Sequence, residues 1–92
     1  MPKLFKVSGF SIYFWANEGN PVEPLHVHVT EGSPTANATK IWITENGKCL
    51  VENNNSKIPR KKMNVIIRFI EANIEEIISE WKNKFGEVKF YC

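Results

Sequence analysis

The run Pro24-Leu25-His26-Val27-His28-Val29 carries the reading of the fold. Apolar and polar side chains alternate through it, which is the period of a strand with one face on a core. Leu25, Val27 and Val29 form the core half. His26, His28 and Thr30 form the other half, and the chain has no further histidine.

Working outward, Phe10-Ser11-Ile12-Tyr13-Phe14-Trp15 has the same alternation and is rich in aromatic residues. Phe10, Ile12 and Phe14 share its core face; Ser11, Tyr13 and Trp15 share the opposite one. Ser8-Gly9 joins it to a short strand at Leu4–Val7 through a hairpin turn. The Asn, Gly and Pro content of residues 16–23 marks a loop. A fourth strand spans Ala36–Ile43, with Ile41 and Ile43 on one face and Lys40 and Trp42 on the other. Asn46-Gly47 signals a tight turn before a short strand at Cys49–Val51.

From Pro59 the period changes. Met63, Ile66, Ile67, Ile70, Ile74, Ile77, Ile78, Trp81 and Phe85 recur at three- and four-residue steps, one stripe of an amphipathic helix. Pro59 suits its first turn and Gly86 the position past its end. Unbroken, such a helix is a rod of about 40 Å; Ala72-Asn73 is the place for a break. Glu87–Tyr91 reads as a last edge strand or a loose tail. The expected architecture is a single α+β domain over residues 1–92. An antiparallel meander of four to five strands packs on one long C-terminal helix. That helix covers Phe10, Ile12, Phe14, Leu25, Val27, Val29, Ile41 and Ile43.

Composition limits the alternatives. The chain of 92 residues is 42% hydrophobic and 24% charged, in the globular range. A core this small favours a second copy or a small partner protein for added stability. The net charge of +2 is too mild to imply nucleic acid by itself. Cys49 and Cys92 make no disulfide framework, and no charged-then-apolar leader opens the chain, so a reduced, cytoplasmic setting is expected. No apolar run reaches the ~18 residues of a membrane span.

The residues that can carry chemistry gather on the second sheet face. A strand puts the His26 and His28 rings on one side, with Cβ atoms ~6–7 Å apart. Two such imidazoles can share a metal ion, with Glu18 or Glu23 as a third ligand. They can act as acid and base on a phosphodiester, with Lys40 holding the charge. Or they are ordinary strand histidines bonded to nearby groups. Tyr13, Trp15 and Trp42 beside Lys40 resemble a stacking platform for single-stranded nucleic acid. The competing expectation is that a second subunit, a partner or the C-terminal tail covers this face. Lys57, Arg60, Lys61 and Lys62 cluster at the helix start, as an anion site or as a solvated basic patch. Glu71, Glu75, Glu76 and Glu80 read as the solvated acidic side of the helix.

One order of residues carries a resemblance. It runs Phe5-x-x-x-Gly9-Phe10-x-Ile12-Tyr13-Phe14, Asn17-Glu18, Pro24-x-His26-Val27-His28-Val29, Lys40-Ile41-Trp42-Ile43, then Trp81 and Phe85-Gly86. It resembles a small prokaryotic family, the domain of unknown function 4160. That family has a short Glu-x-Pro-Pro-His link where this chain has the longer run from Glu18 to His26. The resemblance implies Glu18 beside the histidines, and a gene layout read as a toxin–antitoxin pair. The reading drawn is a bacterial binding or regulatory module of such a pair. It contacts a protein or nucleic acid through Tyr13, Trp15, Glu18, Lys40, Trp42 and the histidine face. A small ribonuclease-like enzyme using His26 and His28 is the alternative, and a metal-binding domain a third.

Overall fold

The computed structural model describes residues 3–15, 23–33, 35 and 37–91. Five strands, β1 (Lys3–Val7), β2 (Phe10–Tyr13), β3 (His26–Glu31), β4 (Thr39–Ile43) and β5 (Cys49–Asn53), precede two helices, α1 (Arg60–Ala72) and α2 (Ile74–Phe85). The strands form one sheet in chain order, every neighbour antiparallel. The fold is therefore the α+β meander that the alternation implied.

Two turns set its register. Ser8 and Gly9 both adopt positive φ, 51° and 84°. That is the geometry of a two-residue turn whose twist matches its strands. It leaves Val7 opposite Phe10. At the far hairpin the Thr44 N–H donates to the Lys48 carbonyl at 2.8 Å, and Gly47 takes φ 78°. The Asn-Gly signal thus ends a loop one residue longer than the tightest hairpin.

All eight sheet residues assigned to the helix side are buried: Phe10, Ile12, Phe14, Leu25, Val27, Val29, Ile41 and Ile43. Ile66, Ile70, Ile77 and Trp81 of the helices meet them, with Met63, Ile74, Ile78 and Phe85 packed at the margin. Ile67 of the stripe is half-buried and lies outside this cluster, whereas Phe69 joins it through an edge-on contact with Phe5. Each fully buried aliphatic chain contributes about 1.5–3 kcal/mol relative to exposure.

The expected single helix is two. Asn73 leaves the helical basin at φ −122°, ψ 26°. Its side-chain amide donates to the Phe69 carbonyl at 2.8 Å and its N–H to the Ile70 carbonyl at 3.0 Å. A side chain that bonds its own backbone competes with the helix ladder, so the break falls at the Ala72-Asn73 position marked from sequence. Pro59 stands at the N-cap of α1, one step before the first turn.

Past α2, Gly86 takes φ 83° and its N–H caps the Lys82 carbonyl at 2.8 Å. The segment beyond is neither an edge strand nor a loose tail. The Leu25 N–H donates to the Lys89 carbonyl at 2.7 Å, and Val88 and Phe90 pack on the core. Among the described residues no helix is long and apolar enough to cross a membrane.

Both edge strands are interrupted. The register shifts between Lys3 and Phe5 in β1, and opposite Lys40 and Ile41 in β5, where Glu52 is the extra residue. Glu71 is not wholly solvated as expected: it is half-buried, and its carboxylate accepts the Cys49 N–H at 3.1 Å. Burial, with Glu71 nearby as a second cause, pushes the Cys49 thiol up to about 12.

Two outcomes follow. Gly86→Ala meets no atom within 4 Å, so only the left-handed backbone opposes it; urea denaturation should show a loss of about 1–2 kcal/mol. The raised Cys49 thiol favours the protonated form in the fold, so its contribution is complete below the ordinary thiol value of 9.0 and is lost as pH rises towards 12. In a Cys92→Ser variant, Cys49 should react with a disulfide reagent at pH 8 far more slowly folded than in denaturant.

Candidate functional site

The second sheet face carries a continuous row of rings. Strand alternation places Tyr13 of β2, His26 and His28 of β3, and Trp42 of β4 on it, and pairing sets Tyr13 opposite His28 and His26 opposite Trp42. Trp15 meets Tyr13 edge-on at 5.3 Å, and Tyr13 stacks on His28 at 5.6 Å. His28 meets His26 at 5.1 Å and 89°, and His26 meets Trp42 at 5.4 Å. Tyr91 closes the row, lying flat on Trp42 at 4.6 Å and 7°.

Most of the row is interior. Tyr13 and His26 are fully buried, His28 is 8% exposed and Trp42 is 7% exposed. Among the described residues two parts of the chain itself cover this face, the C-terminal tail, which was one of the expected covers, and the β3–β4 loop, which was not. The C-terminal tail lays Tyr91 over Trp42. The β3–β4 loop brings Thr35 to Tyr13, whose hydroxyl donates to the Thr35 carbonyl at 2.7 Å and accepts its N–H at 3.1 Å. Half-buried Trp15, Lys40 and the largely exposed Tyr91 form the accessible rim.

His26 holds the centre. Its Nδ1 lies 2.9 Å from the Pro24 carbonyl. A carbonyl only accepts, so Nδ1 donates the hydrogen of this bond. Its ring also meets Trp81 of α2 at 5.4 Å, which ties the second face to the helix-side core. The Trp81 indole N–H, itself buried, has no hydrogen-bond partner among the described residues.

The polar members are engaged. Lys40 Nζ stands 4.4 Å over the Trp42 ring and 3.6 Å from the Glu23 carboxylate. The Trp42 indole N–H donates to Glu52 at 2.7 Å, a carboxylate that the bulge in β5 carries and that the sequence reading did not single out. Its one sequence signal was an acid directly after the short strand at Cys49–Val51. Tyr91, likewise unassigned, lay in the segment read as an edge strand or a tail.

The structure brings Tyr13, Trp15, His26, His28, Lys40 and Trp42 together as expected. Glu18 lies outside the described residues, as does Cys92. Among the described residues no group of three His, Cys, Asp or Glu is placed to hold a metal ion. Lys57, Arg60, Lys61 and Lys62 are exposed at the start of α1, apart from the ring row; Lys57 takes φ 54° and no side chain caps the helix.

Chemically, the face offers buried rings with a narrow polar rim. His26→Ala should cost about 2–4 kcal/mol in denaturation, since it removes both ring packing and a buried hydrogen bond. Tyr91→Ala should cost about 1 kcal/mol and shift tryptophan emission to the red, because Trp42 loses its stacked cover.

A family model described as a domain of unknown function (DUF4160) matches residues 9–82, which span β2 to most of α2. No curated protein and no solved structure matches the chain. The matched span contains the histidine strand, its pairing partners, α1 and most of α2, and the chain belongs to the DUF4160 family.

Proposed function

We propose that the chain is a binding and regulatory module, one half of a toxin–antitoxin-like pair. It grips a small partner protein at the rim formed by Trp15, Lys40 and Tyr91. The observation that carries this reading is the burial of His26. An acid or base must come within hydrogen-bond reach of its substrate. The full burial of this ring, with Trp42, Trp81 and His28 against it, supports a packing role over a reactive one.

The rim favours protein over nucleic acid. A base would stack on the flat of Trp42, and Tyr91 lies there. The Lys40 charge is answered by Glu23 and the Trp42 ring. Aromatic side chains set in a polar rim are the anchors that protein interfaces use. The gene layout implied by the family resemblance points to the adjacent small gene for the partner.

Co-expression with the product of that gene, followed by calorimetry on the purified pair, tests the reading. A complex is expected. Trp15→Ala and Lys40→Glu should each weaken it by about tenfold or more while keeping the circular dichroism spectrum of the folded chain. RNA cleavage that disappears in folded His26→Gln and His28→Gln variants would replace this reading with the enzymatic one.

A further inference from the structure

Among the described residues, exposed large hydrophobic side chains are found along one sheet edge and on the elements that contact it. The large hydrophobic side chains exposed among the described residues are Leu50 (44%), Val51 (37%), Val65 (37%) and Tyr91 (56%). Leu50 and Val51 belong to edge strand β5. Val65 lies on α1, which packs on β5. Leu50 is opposite Trp42, on which Tyr91 stacks, so Leu50 and Tyr91 flank the edge on the ring-row face. Scattered apolar residues need no account, but a cluster around an unpaired strand does.

We infer that β5 is a self-association edge, and that its occupant is the same strand of a second copy of this chain, run antiparallel about Leu50. The argument is charge complementarity. In Lys48-Cys49-Leu50-Val51-Glu52, antiparallel pairing about Leu50 sets the two leucines against each other. It places Lys48 of each copy against Glu52 of the other, and Cys49 against Val51. Opposite charges directly across a strand pair are favourable, and like charges there are unfavourable. A two-fold contact uses both charge pairs at once. Any other register about this strand loses them.

Two features limit the length of the contact. Glu71 holds the Cys49 N–H, and the bulge at Glu52 interrupts regular pairing beyond it. The contact is therefore short and carried by side chains more than by a backbone ladder. Such small interfaces associate weakly. The inference shares Tyr91, at its margin, with the partner-protein rim, while Trp15 and Lys40 play no part in it.

Sedimentation equilibrium on the full chain, from about 1 to about 200 μM, tests it in the range expected of weak association. A monomer–dimer equilibrium is expected. Lys48→Glu and Glu52→Lys should each weaken it by about tenfold or more, and an equimolar mixture of the two variants should restore it. Leu50→Glu, at an exposed position, should abolish it with an unchanged circular dichroism spectrum, and Trp15→Ala should leave it intact. A chain that stays monomeric throughout, or a mixture that does not recover the dimer, overturns the inference.

Discussion

The structure depends on a middle strand that is buried on both faces. Leu25, Val27 and Val29 press into an aliphatic core, while His26, His28 and Thr30 are covered on the other side. A strand in that position tolerates no slip, because one residue of shift would drive imidazoles into the aliphatic core and valines into the ring row. Polar groups sent inward need partners, and the Pro24 carbonyl supplies one for His26. The neighbouring strands inherit the same parity through their pairing, which is why Tyr13 and Trp42 meet the histidines.

The two faces are closed by different means. Helices α1 and α2 close the first with Ile66, Ile70, Ile77 and Trp81, a broad burial that needs little directional precision. The second is closed, among the described residues, by two hydrogen bonds between Tyr13 and Thr35 and by the stacking of Tyr91 on Trp42. Trp81 belongs to both, since it packs on Phe14 in the first and reaches His26 in the second. The tail that completes the second face is turned by Gly86 and anchored where Lys89 accepts the Leu25 N–H, at the entry to the middle strand.

A break in the helix and guards on the sheet edges shape the rest. Asn73 ends one helix and begins the next, and Glu71, two residues earlier, reaches the Cys49 N–H on edge strand β5. A side chain on an edge donor blocks part of the row that would otherwise pair with another chain. The Glu52 bulge does the same further along, while its carboxylate serves the Trp42 indole. What remains open on β5 is the short apolar centre at Leu50 and Val51.

The sequence by itself determined the sheet, the hairpin at Ser8-Gly9, the helix face and the site of its break. These follow from periods of two and of 3.6 residues and from local turn and side-chain chemistry, which act over a few neighbouring positions. It also placed His26, His28, Tyr13, Trp15, Lys40 and Trp42 on one face, because alternation is a local rule. Only the tertiary structure decided that this face is closed by the chain's own loop and tail. Glu87–Tyr91 alternates over too few residues to say where it lies, and its position rests on contacts with Leu25 and Trp42, 64 and 49 residues away in the chain. The added residue at Glu52 and the reach of Glu71 to Cys49 were hidden for the same reason. Each is a single contact between distant segments, formed only once the strands and helices have packed.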